Sequence, residues 1–201
     1  MSKRMLHLWI RAEQRKNEKR VGITPLDASK LLSAGIKVTV EDSADRIIPI
    51  EEYNKVGCEI AMEHGWPSAP KNTIILGLKE LSKYTEIIEH KHIMFGHAFK
   101  GQTCGLELLK KFKAGKGVLY DLEYLTDPEG RRLAAFGYWA GFAGAAVSLK
   151  AYADQQNIKG ICGPVSVFEN KEAMVDNVKK ALLNVENKSP KILVVGALGR
   201  V

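Results

Sequence analysis

Cysteine is scarce in this sequence of 201 residues: Cys58, Cys104 and Cys162 are odd in number, lie far apart, and have neither disulfide-framework nor zinc-ligand spacing. The expectation is reduced thiols in a cytoplasmic protein. No secretory leader is expected, because Met1 to Arg20 mixes Arg, Lys and Glu throughout and does not follow the leader pattern of basic residues, apolar run and small-residue cleavage site. The long uncharged stretch, Leu133 to Leu149, is bounded by Arg132 and Lys150. It sits at the short limit for a bilayer span and is rich in Gly and Ala, so no membrane role is expected. No repeat or low-complexity tract is evident. The formal net charge is +7, but Lys and Arg are scattered and usually stand beside Glu or Asp. That pattern points to a solvated basic surface, compatible with anionic small substrates, and not to a nucleic-acid partner. A metal site is not expected either. His90 and His92 would share a face in an extended stretch and His97 follows them, yet no Cys or carboxylate pattern completes a ligand set.

With 45% hydrophobic and 26% charged residues, the chain can bury a real core in one or two domains. Met5 to Ile10 reads as a strand. Thr24-Pro25-Leu26-Asp27 then supplies an N-cap, a proline at the first helical position and a capping acid, for a helix that stops at Gly35. Strands are predicted at Lys37 to Val40, Cys58 to Met62, Thr73 to Leu78, Ile93 to Phe95 and Gly117 to Leu125. Helices are predicted at Pro49 to Gly57, between Gln102 and Ala114 with Gly115 as the stop, and at Lys171 to Val185. Alternating strands and helices predict an α/β fold, a Rossmann-like parallel sheet covered on both faces, with all strand carboxyl ends on one edge.

From about Arg131 the character changes. Gly137, Gly141 and Gly144 recur along a helix expected to be a buried connection whose small residues admit another backbone. The strand Lys191 to Val195 feeds Gly196-Ala197-Leu198-Gly199-Arg200-Val201, which matches the start of a glycine-rich dinucleotide loop. The expected organisation is a catalytic and substrate domain at 1–132, then an interdomain helix and the truncated start of a second, dinucleotide-binding Rossmann domain at 133–201. The 201 residues alone are therefore expected to be inactive. Their last strand should fray or find an edge on a second chain, a route to self-association.

Ligands of open α/β sheets bind beyond the strand carboxyl ends. At those ends stand Arg11 and Glu13, Lys79 and Glu80, His97, and Asp121 and Glu123. A lysine leaving an apolar strand and an imidazole are both suited to proton transfer near neutrality. A snorkelling lysine and a hydrogen-bonded structural histidine are the plainer alternatives.

Arg11-Ala12-Glu13, followed by Lys19 to Pro25 (KRVGITP), resembles the opening of the alanine dehydrogenase and saccharopine dehydrogenase superfamily. The stretches IILGLKE, FGHAFKGQ, LYDLEYL and GRRLAAFGYWAGFAGAA resemble the NAD-dependent, lysine-forming saccharopine dehydrogenases, over nearly the whole chain. The resemblance implies an oxidoreductase of lysine biosynthesis that interconverts saccharopine with lysine and 2-oxoglutarate, with NAD as cofactor. It makes Lys79 and His97 an acid–base pair and puts Arg20, Lys79, Gln102, Arg132 and Phe136 at the substrate. It gives Glu80 and Glu123 a tuning role, and it sets Arg131, Gly199 and Arg200 at the cofactor. Alanine dehydrogenase, and a non-catalytic remnant binding amino dicarboxylates or a partner subunit, remain as alternatives.

Overall fold

The computed structural model describes residues 5–81, 87–102, 104–135, 137–157, 160–186, 190–199 and 201. They form two compact units, Met1–Ala134 and Ala135–Val201. In the first, β1 (His7–Ile10), β2 (Lys37–Glu41), β3 (Glu59–Ala61), β4 (Ile74–Leu76), β5 (Lys91–Met94) and β6 (Val118–Asp121) make one sheet in the order β3-β2-β1-β4-β5-β6. Every pairing is parallel, as expected. The order reverses at β1: the chain winds outward through β2 and β3, returns to β4 on the other side of β1, and winds outward again. Such a reversal leaves a crevice between the loops that leave β1 and β4.

Helix α1 (Pro25–Ser33) begins as its sequence dictates, with the Thr24 side chain accepting from the Asp27 N–H and Pro25 in the first turn. It and α2 (Ile50–Lys55) cover one sheet face, where Leu8, Ile10, Ala28, Val38, Val40, Tyr53 and Leu76 are buried together. Helix α3 (Gly105–Gly115) covers the other, over Trp66, Ile75, Ile88, Met94, Leu108 and Phe112. Ile75 and Leu76 fall in different clusters because successive strand side chains point to opposite faces. A buried carboxylate ties the first two strands to the loop after β3. Glu41 accepts from Trp9 Nε1 (2.9 Å), Ala12 N (2.7 Å), His64 N (3.0 Å) and Trp66 N (2.6 Å).

Several expected boundaries move. The strand expected to run to Leu125 ends at Asp121, whose side chain caps a 3₁₀ turn at Leu122–Tyr124. Gly115 lies inside α3, and the stop is Lys116, in the left-handed region at φ +55. His90 and His92 do face one side, but against protein: the His90 Nε2 meets the Ala69 carbonyl at 3.0 Å, and His92 lies edge-on to Trp66.

In the second unit, α4 (Tyr138–Asn157) packs on α5 (Lys171–Leu183). The expectation of a buried α4 is not met, since Ala153 is the one residue of α4 that is fully buried. Gly141 does admit a backbone, because a Cβ there would stand 1.8 Å from the Val201 carbonyl oxygen. Lys191 to Val195 is not a strand: no strand lies beside it among the described residues, and Ile192, Leu193, Val194 and Val195 are exposed. Among the described residues no helix is long and apolar enough to cross a membrane.

Candidate functional site

The parallel sheet brings the carboxyl ends of β1, β4, β5 and β6 side by side, and with them the residues expected there. Leaving β1, Arg11 turns its side chain inward and Glu13 turns toward β4. Glu13 Oε1 accepts from the Leu78 N–H at 2.6 Å and Oε2 from the Lys79 N–H at 3.0 Å. Arg11 Nη2 donates to the Lys79 carbonyl, and Nη1 donates to the Ala12 carbonyl at 3.1 Å and lies 3.5 Å from Glu13 Oε2. Burial pulls the Arg11 guanidinium below its usual range, with Glu13 and Glu41 opposing the shift. Gly77 makes room, since a Cβ there would come within 2.3 Å of the guanidinium.

Lys79 itself is half-buried. Its ammonium acts on Glu18, whose carboxyl is held below the usual range first by the hydrogen bond from Arg20. Glu18 in turn grips Arg20 through Nε (2.8 Å) and Nη2 (2.6 Å), raising the guanidinium above its usual range. Arg20, Glu18, Arg11, Glu13 and Arg46 line a narrow space of about 10 Å³ beside the end of β1.

His97 follows β5 in the left-handed region at φ +49, its ring stacked on Phe95 at 6.4 Å. Asp121 Oδ1 accepts from the Gly96 N–H (3.2 Å) and the Glu123 N–H (2.9 Å), and so joins the turns that carry His97 and Glu123. Glu123 receives Lys100 Nζ at 2.5 Å and Arg132 Nη1 at 3.1 Å. The Lys100 hydrogen bond first, then the Arg132 and His97 charges, hold its carboxyl below the usual range against burial. A cleft of about 630 Å³ is lined by Glu80, His97 and Gln102, together with Arg15, Cys104 and Lys111. Gln102 Oε1 accepts from the Lys100 N–H at 3.0 Å, and Glu80 lies 3.6 Å from Arg15.

The structure thus gathers Glu80, His97 and Gln102 at one cleft and places Arg132 on Glu123 beside it. Lys79 is on the neighbouring strand end but does not line that cleft, and Arg20 lines the narrower space. Arg131 is turned to Asp127 (2.7 Å) and Glu129 (3.2 Å). In the second unit, Gly196 has φ +77 and the Gly199 N–H donates to its carbonyl at 2.8 Å, a tight glycine turn. Phe136 and Arg200 lie outside the described residues. Sequence reasoning named Arg11 and Asp121 as strand-end charges but missed their grip on neighbouring turns. It also missed Arg15, Cys104 and Lys111 at the cleft. For Arg15, the signal was a basic residue two positions after Glu13, in the loop leaving β1.

Residues 9–143 match the family described as alanine dehydrogenase/PNT, N-terminal domain, and the chain belongs to that family. Among individual proteins, it is 43% identical, over 96% of its length, to the saccharopine dehydrogenase (NAD(+), L-lysine-forming) of Yarrowia lipolytica. It is 42% identical, over 96% of its length, to the enzyme of that name from Schizosaccharomyces pombe. The chain spans about half the length of these relatives, 54% of each. By name they are NAD(+)-dependent dehydrogenases. A solved L-alanine dehydrogenase superposes with a TM-score of 0.53 at 15% identity, covering 76% of this chain and 40% of that one, which shows the shared fold.

Proposed function

We propose that the chain supplies the acid–base half of an NAD-dependent dehydrogenase that interconverts saccharopine with lysine and 2-oxoglutarate. The observation that carries this reading is the 43% identity over 96% of the chain to a dehydrogenase named for that reaction. The local chemistry supports it. Saccharopine bears three carboxylates, and Arg20 and Arg132 are the guanidinium groups suited to receive them, each held here by a neighbouring carboxylate, Glu18 and Glu123, with which a substrate carboxylate would share it. In the full-length protein Gln102 and Phe136 complete the substrate contacts, and Arg131, Gly199 and Arg200 hold the cofactor.

NAD, when bound, supplies the hydride acceptor. His97 and Lys79 divide the proton transfers at the substrate. One takes the proton of the secondary amine, and one activates the water that adds to the carbon–nitrogen double bond. The proton is then returned to nitrogen as the carbinolamine collapses to lysine and 2-oxoglutarate. Glu80 and Glu123 offset the local positive charge, Glu123 by its pairs with Lys100 and Arg132.

The test is NADH consumption by the purified full-length protein with lysine and 2-oxoglutarate. Turnover of that mixture is expected. Activity confined to pyruvate and ammonia would reassign the protein to alanine dehydrogenase chemistry, and inertness to both mixtures would remove the dehydrogenase reading.

A further inference from the structure

We infer that Arg11 and Glu13 are positioning residues that set the Lys79 side chain by gripping its backbone on both sides of the α-carbon. The inference rests on the acid–base role proposed for Lys79. The two residues after Gly77 present consecutive N–H groups to a single carboxylate: Leu78 to Glu13 Oε1 at 2.6 Å and Lys79 to Oε2 at 3.0 Å. The Lys79 carbonyl is held on the other side by Arg11 Nη2. With its N–H and its C=O, which belong to the two peptide units flanking its α-carbon, both held by charged partners, the Lys79 backbone cannot turn without breaking charge-assisted bonds, which are about twice as strong as neutral ones.

The grip is itself rigid. The Arg11 side chain is fully buried and that of Glu13 nearly so, and the 3.5 Å contact between them keeps the two charges paired out of water. The guanidinium also lies against the Gly77 α-carbon, where any side chain would displace it. Neither residue lines the cleft that holds His97. Both line the narrow space beside Arg20, and their direct hydrogen bonds to an acid–base residue are those to the Lys79 backbone. A buried ion pair is a weak source of stability, and this one is placed where two adjacent strand ends must keep a fixed separation.

A positioning role predicts a particular pattern of loss. In the full-length protein Glu13→Gln exchanges one acceptor oxygen for an amide donor that faces the Lys79 or the Leu78 N–H. It is expected to lower kcat by about 10- to 100-fold, the range for losing the support behind a functional group, while leaving KM for lysine and 2-oxoglutarate nearly unchanged. Combined with Lys79→Met, it should cost nothing further, because the group it positions is already gone. Arg11→Lys should reproduce a weaker form of the same loss.

Wild-type kcat in Glu13→Gln, or a loss that multiplies in full with that of Lys79→Met, would overturn the clamp. A wild-type protein inert toward these substrates would instead remove the reading on which the clamp rests. If Glu13→Gln does not fold, amide exchange in the unaltered chain decides. The Leu78 and Lys79 amides are expected to be protected like that of Ile75, and exchange as fast as in exposed loops would sink the proposal.

Discussion

His92 points from β5 into the contact with α3, 1% exposed, edge-on to Trp66 at 4.8 Å and Phe112 at 5.6 Å. Its Nε2 has no hydrogen-bond partner among the described residues, and burial, aided by the Arg11 and His90 charges, pushes its pKa down to about 3. The unfolded chain therefore takes up a proton as pH falls through about 6.5, while the folded chain refuses it until about 3. Stability is complete above the unfolded value and lost progressively across that window, by at most about 1.4 kcal/mol per pH unit. Urea midpoints measured from pH 7 down to pH 4 should fall, and fall less steeply in His92→Leu. Equal slopes in the two proteins would show that this imidazole does not set the acid limit. Two other residues bear on turnover. His97→Gln and Lys79→Met should each reduce kcat of the full-length protein by at least about tenfold, with smaller changes in NADH affinity. Steady-state kinetics at saturating NADH check this, and unaltered turnover in both variants would remove the acid–base assignment.

Gly115 tests whether helix propensity or packing decides the end of α3. Alanine is favoured over glycine within a helix by about 1 kcal/mol. Here, however, a Cβ would stand 2.2 Å from the Ile88 carbonyl oxygen, which is backbone and cannot swing aside. Gly115→Ala is expected to destabilise by about 1–3 kcal/mol, the usual cost of overpacking. A urea midpoint that rises would mean that the close approach relaxes at no cost. The same contrast explains what was legible in the sequence. The start of α1 was, because Thr24 and Asp27 bond to each other within a single turn that Pro25 opens. The parallel sheet was, because strands and helices alternate. Gly115 reads as a stop when taken alone, and its role in packing depends on Ile88, which no local pattern links to it. Lys191 to Val195 has the composition of a strand, but a strand exists only where a neighbour takes up its N–H and C=O groups. At the site, the charges ending each strand were visible as residue types. The inward turn of Arg11 was not, because it needs the bare α-carbon of Gly77 on a different strand.

The two units differ in how much they bury. Met1–Ala134 holds both apolar clusters, one on each face of the sheet, whereas the apolar side chains described as buried in Ala135–Val201 are those of Ala153, Val178 and Val185. A fragment of residues 1–134 is accordingly expected to unfold cooperatively in urea, with circular dichroism and the fluorescence of Trp9 and Trp66 changing together, and a fragment of 135–201 to show no sharp transition. A broad, probe-dependent transition in the first fragment would mean that its sheet depends on residues beyond it. The reversal of strand order at β1 also bears on the order in which the protein can be made. Leu8 pairs with Val38 on one side and with Ile74 on the other, so β1, β2 and β3 can associate while β4 is still to be synthesised. Until then one edge of β1 is open, and the Lys79 backbone that Arg11 and Glu13 grip has not yet been made. Chains halted on the ribosome before Thr73 should thus be the ones retained by chaperones, and their release should follow once β4 has emerged.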